Sequence, residues 1–217
     1  MDWDAHAERE ESRYSDGLAR LPEDLDGRQK QLVRVAMAAG GAGLARLMED
    51  RSAEAAGWLS RSAERYRESW DGAPSGSWGR LIGAVKSRIL AGDWEGAVQD
   101  ARWALDQRPQ DSDSPIGAYA AVLAFLTLAE DEQAAELAPA LRHEGFPEAV
   151  GDALASLSAH DRDSYAGSVA RVLESFEIRD DYLEDIPVAD TVLVLEALAA
   201  RRGLAAGLKS PLLPASG

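Results

Sequence analysis

The residues that could do chemistry in this chain are few, and they are scattered. Its three histidines are His6, His143 and His160. His143 stands beside Glu144 and His160 beside Asp161, which on paper offers an acid–base pair at each place. General acid–base chemistry also needs a reacting group in hydrogen-bond reach, and no nucleophile stands at a recognisable spacing from either histidine. Cysteine is absent, so disulfides, thiol catalysis and thiolate-bound metals are excluded. Asp111-Ser112-Asp113-Ser114 opens like a calcium loop, but Pro115 takes the place of the third carboxylate and Val122 the place of the closing glutamate. It reads as a connector. The glycine-rich run from 40 to 47 (GGAGLARL) lacks the Lys-Ser/Thr ending of a phosphate loop. The expectation is therefore a chain with no catalytic residue, no cofactor and no metal.

Two other groups have side chains suited to recognition. Five of the six tryptophans lie between 58 and 103. Trp78, Trp94 and Trp103 either fill gaps between helices or line a groove, where aromatic rings give much contact area at low entropy cost. The acidic clusters Glu23-Asp24-Asp26 and Asp180-Asp181-Glu184-Asp185 are either solvated surface or a face for a basic partner, since opposite charge speeds encounter.

Composition narrows the partners. The net charge is −15, with 38 acidic against 23 basic residues, which opposes binding to nucleic acid or anionic membrane and permits a basic protein partner. Solubility or adaptation to a salty cytoplasm would give the same charge. Only Lys30, Lys86 and Lys209 are lysines, as a GC-rich or halophilic source would have. Hydrophobic content of 46% suits a globular core. No apolar run reaches the roughly 18 residues of a membrane span, and the acidic N-terminus is unlike a signal peptide, so a cytoplasmic location is expected.

These residues must be positioned by helices, because apolar residues recur at three and four and almost never alternate. The clearest unit is Gly92 to Pro109. There a glycine turn, small residues at Ala97, Ala101 and Ala104, and a terminating proline fall where a tetratricopeptide-type helix pair places them. The tripeptides AGD, AED and AHD begin at 91, 129 and 159, each before a second helix, with Glu130 and His160 standing where Gly92 stands. Spacings of 38 and 30 make this a degenerate repeat. Helices are expected at about 4–20 and 53–70. Between them lies a longer helical stretch whose buried stripe would be Leu32, Val33, Val35, Ala36, Leu44, Leu47 and Met48. Gly40, Gly41 and Gly43 either kink that stretch or admit a neighbour to bare backbone. The loop 71–77 is the sharpest break, and a last helix is expected from Val188 to Arg202, with Val192, Leu193, Leu195, Leu198 and Ala199 as its core stripe. The ending LKSPLLPASG reads as an extended apolar tail docked on the bundle, or else as disordered.

The last sixty residues resemble the Immunity protein 49 family, all-α proteins of bacterial polymorphic-toxin loci. The residues that carry the resemblance are a helix pair around Asp161, then Ile186-Pro187-Val188 opening an Ala/Leu-rich helix. That helix ends Arg202-Gly203-Leu204 and is followed by Ser210-Pro211-Leu212-Leu213-Pro214. The resemblance implies a protein that binds and neutralises a cognate toxin, and it carries over no catalytic residue.

The expected protein is thus all-α, with antiparallel helix pairs stacked as a degenerate tetratricopeptide-like superhelix. It would form one helical domain over 1–217, divided into N-terminal helices (1–70), repeat-like pairs (78–177), a terminal helix (188–203) and a tail (204–217). Its expected role is non-enzymatic protein binding, as an immunity protein facing a basic toxin domain. The alternative is a general helical-repeat adaptor with a peptide groove at Trp78, Trp94 and Trp103; an enzyme built on scattered carboxylates is the third reading.

Overall fold

In the computed structural model, which describes residues 1–215 without the side chain of Leu183, every regular element is helical. The α-helices are α1 (Trp3–Ala19), α2 (Leu25–Met48), α3 (Ser52–Glu68), α4 (Gly79–Leu90), α5 (Trp94–Asp106), α6 (Pro115–Thr127), α7 (Asp131–Leu137), α8 (Glu148–Ser158), α9 (Arg162–Glu177) and α10 (Asp190–Ala200). Short 3-10 turns stand at Pro109–Asp111, Ala138–Leu141 and Leu183–Asp185, and the described residues contain no strand. The all-α class is as the periodicity requires.

Five helices end in the same way. Asp50, Gly92, Ala129, His160 and Gly203 all take a positive φ, between 54° and 70°. In each case the next residue donates its N–H to the carbonyl five residues back: Arg51 to Arg46, Asp93 to Arg88, Glu130 to Phe125, Asp161 to Ser156 and Leu204 to Ala199, at 2.8–3.0 Å. This is the Schellman ending, which satisfies carbonyls that a helix terminus would otherwise leave unpaired. After four of the five the next helix begins within two residues. Consecutive helices joined by links this short pack on one another in α2/α3, α6/α7 and α8/α9. The recurring turn at 91, 129 and 159 is real, with one correction. At the middle site the left-handed residue is Ala129, not Glu130, and Glu130 occupies the N-cap position of α7. Alanine takes this conformation at a cost of roughly 1–2 kcal/mol, which the backbone bonds and the packed pair must offset.

The chain forms two compact units. Unit 1 comprises Met1–Trp94, Asp180–Val188 and Lys209–Gly217; unit 2 comprises Glu95–Arg179 and Ala189–Leu208. The loop 71–77 lies inside unit 1.

In unit 1, α1 packs on α2, α2 on α3 and α3 on α4. Helix α2 runs unbroken through its three glycines, so the bare-backbone alternative holds. A Cβ at Gly43 would lie 2.6 Å from Leu59 Cγ, and one at Gly41 would lie 3.1 Å from Glu10 Cγ. The face buried here is therefore the small one. Ala38, Ala39, Ala42 and Ala45 join Leu32, Val35 and Ala36 in the core, whereas Val33, Leu44, Leu47 and Met48 of the expected stripe are half-buried.

In unit 2, Ala97, Ala101 and Ala104 are fully buried, as the repeat reading of α5 expects. Helix α6 is buried on nearly every side, and α8 packs on α9. Helix α10 buries Val192, Val194, Leu195, Leu198 and Ala199, with Val194 taking the place expected of Leu193. The tail is non-helical and divides between the units, with Leu204 buried in unit 2 and Leu213 in unit 1; residues 216–217 lie outside the described residues.

Candidate functional site

The three tryptophans read as recognition residues do not share one unit. Trp78 and Trp94 belong to unit 1 and Trp103 to unit 2. Trp78 stands at the N-cap of α4, half-buried, and its ring lies 6.1 Å from that of Trp70, tilted by 30°. Trp94 opens α5 and Trp103 lies about two and a half turns further along it, both half-buried. Trp70, which sequence reading passed over, is thus the aromatic neighbour of Trp78.

The acidic segment divides into two roles. Asp180 and Asp181 are exposed, and so is Asp185. Glu184 turns inward, with a side chain only 11% exposed. Its carboxylate accepts from Arg13, and Arg9 Nη2 donates to its backbone carbonyl at 2.7 Å. Glu184 and Asp185 take φ values of +56° and +55°, and Ile186 and Val188 beyond them are buried. Two α1 arginines therefore hold this segment in unit 1, and Glu184 is a fastening point. Arg13 also donates to the fully buried Glu10, the side chain that passes over Gly41. In the other cluster, Asp24 caps α2 by accepting from Gly27 N at 2.7 Å, and Asp26 pairs with Lys30 at 2.7 Å.

Sequence adjacency paired His160 with Asp161, but the structure pairs it otherwise. Asp161 is the N-cap of α9, accepting from the backbone N–H and hydroxyl of Ser164 at 3.1 and 2.7 Å. His160 Nε2 lies 2.7 Å from Asp131 Oδ2, on the first turn of α7. Asp131 is also gripped by Arg202, whose Nε donates to both carboxylate oxygens at 3.1 Å. The Arg202 side chain is only 6% exposed; its Nη1 donates to the Leu198 carbonyl at 3.0 Å, and its Nη2 to the Leu126 carbonyl at 2.7 Å and to Asp131. One buried guanidinium so ties the ends of α6 and α10 to the start of α7. Burial alone would push the Asp131 carboxyl up; Arg202 and His160 outweigh it and hold the group below the ordinary carboxylate range. Among the described residues the hydrogen-bond partner of the imidazole is Asp131, and the arrangement works as a charge clamp. His143 is far from this in role: it is exposed, with Nδ1 2.5 Å from the Glu144 carbonyl.

A second carboxylate in unit 2 fastens the tail. Glu196 Oε1 accepts from Tyr165 Oη at 2.8 Å and from Ala206 N at 3.0 Å, while Oε2 accepts from Gly207 N at 2.7 Å. Burial, then the Glu196 carboxylate, pushes the Tyr165 hydroxyl far above its usual value, so it remains a donor. In unit 1 the buried Arg46 meets Glu11 and Glu49 at 2.9 Å and Asp4 at 2.5 Å.

The residues read as a connector behave as one. Asp111 accepts from Arg108 Nε at 2.6 Å, and Ser114 caps α6. Among the described residues no cluster of three or more His, Asp or Glu side chains could hold a metal ion, and no helix is long and apolar enough to cross a membrane. No protein-family model, curated protein or solved structure matches the chain.

Proposed function

We propose that this protein is a non-enzymatic protein-binding scaffold, and that it acts as an immunity protein that binds and neutralises a cognate toxin. The observation that carries this reading is the placement of charge. Unit 2 holds 18 Asp and Glu against eight Arg, and no lysine, so −10 of the chain's −15 falls in 105 residues. Asp180 and Asp181 add exposed negative charge where the chain enters unit 1. A surface of this sign repels nucleic acid and attracts a basic partner, and toxin domains that act on nucleic acid are basic for the same electrostatic reason. The proposal also draws on the resemblance of the C-terminal sixty residues to Immunity protein 49. The residues behind that resemblance have structural jobs: Asp161 caps α9, Ile186 and Val188 are buried, and Arg202 grips Asp131.

The test is co-expression with each toxin domain encoded beside the gene, read by survival of the host and by co-purification. Rescue and a stable complex with one neighbour are expected. Failure to bind or rescue against every neighbour rejects the reading.

A further inference from the structure

We propose that unit 1 carries a site for a phosphate-type oxyanion, formed by Arg13, Arg20 and Arg34 where α1 crosses α2. In a chain with so large an acidic excess, three guanidinium groups line one cavity of about 310 Å³. Its floor is Gly17 and Val35, Gln31 forms part of its wall, and the Asp16 carboxylate, paired with Arg20, also lines it.

The floor explains why the arginines are positioned. A Cβ at Gly17 would lie 2.6 Å from Val35 Cγ2, so α1 and α2 approach too closely there for any larger residue. Gln31 Nε2 donates to the Gly17 carbonyl at 3.3 Å across the same crossing. Arg13 lies one turn before Gly17 on α1, Arg20 is the C-cap residue of that helix, and Arg34 comes from α2 one residue before Val35. Three cations, from α1, its C-cap and α2, therefore line one cavity.

Their pairing leaves donors for a ligand. Arg13 commits Nη1 to Glu10 and Glu184. Arg20 bonds Asp16 at 3.1 Å, a pair exposed on both sides and so weak and exchangeable. Arg34 is exposed and makes no ion pair or hydrogen bond among the described residues. Guanidinium groups match the oxygens of phosphate in paired hydrogen bonds, and a tetrahedral phosphate presents oxygens to three such groups at once. A free phosphate and the phosphate ester of a mononucleotide share this chemistry.

The experiment is a titration of the full chain with inorganic phosphate, and separately with adenosine monophosphate, at ionic strength held constant with chloride and followed by backbone amide NMR. Saturable shifts centred on Gly17, Arg20 and Gln31 are expected. Arg34→Gln, at an exposed position, should weaken binding roughly tenfold to a hundredfold, the scale of a lost charge-assisted bond. Arg108→Gln, in unit 2, should leave binding unchanged. Equal affinity for the two probes assigns the site to the free anion, and tighter binding of the nucleotide assigns it to an ester; both support the site. Shifts that do not saturate, or that persist in Arg34→Gln, overturn it.

Discussion

Arg202 and Asp131 stand 71 residues apart in the chain, and the buried guanidinium of one closes on the carboxylate of the other. Removing one partner of such a pair leaves an uncompensated charge inside the protein. Arg202→Met should therefore cost about 3–5 kcal/mol, measured by urea denaturation. The double variant Arg202→Met/Asp131→Leu should recover part of that loss, which a double-mutant cycle would quantify.

The same pair makes a prediction about acid. The folded Asp131 carboxyl lies below its unfolded value. Its stabilisation is complete above the unfolded carboxylate value of about 3.9 and disappears as pH falls through the lower folded value. Asp131→Asn should lower stability at neutral pH and flatten the acid limb of the denaturation profile. An unchanged acid limb in the variant would contradict the assignment.

Little of this clamp was legible in the sequence. Asp131, His160 and Arg202 lie on three separate turns, and adjacency pointed His160 to Asp161, whose carboxylate is consumed as a helix cap. Local rules do well where the cause is local: Gly92 and Gly203 end helices where glycine can take a positive φ, and Ala97, Ala101 and Ala104 are buried as a small-residue face. They fail at Ala129, because a backbone bond from Glu130 to Phe125 fixes that turn and no side chain announces it. For the same reason Glu184 read as surface charge: its partners Arg9 and Arg13 lie far back in the chain, on α1.

Two glycines should respond oppositely to alanine. At Gly43 the new methyl would meet Leu59 Cγ at 2.6 Å, and such overpacking costs about 1–3 kcal/mol. At Gly57 nothing lies within 4 Å, so Gly57→Ala should stabilise by about 0.5–1 kcal/mol through helix propensity. Thermal denaturation of the two variants checks both signs.

Within the acidic segment, position decides the effect. Glu184→Gln weakens the fastening by Arg13, so amides of residues 182–188 should exchange faster, read by hydrogen–deuterium exchange. Asp180→Ser/Asp181→Ser touches no internal contact named above and should leave exchange unchanged. If the partner is a basic toxin, that double variant should slow association and weaken its salt dependence, with dissociation unaffected.

Tyr165→Phe removes one of the three donors to Glu196, and Glu196→Gln replaces the carboxylate that two tail amides share. Limited proteolysis should cut the tail near residues 205–209 faster in Glu196→Gln than in Tyr165→Phe, with the native chain slowest.

The partition of the chain has a consequence for how it is made. Unit 1 draws on three separate stretches, and unit 2 is interrupted by nine residues that belong to unit 1. As synthesis proceeds from the N-terminus, α1 to α4 emerge first but wait for residues 180–188, whose Glu184 receives Arg9 and Arg13. Unit 2 in turn waits for Arg202 before Asp131 has its counter-charge. Unit 1 thus lacks its full set of contacts until residues 180–188 have been made, and Asp131 of unit 2 lacks Arg202 until later still. A cut after residue 94 would separate the first stretch of unit 1 from its other two, while residues 95–217 would hold every part of unit 2.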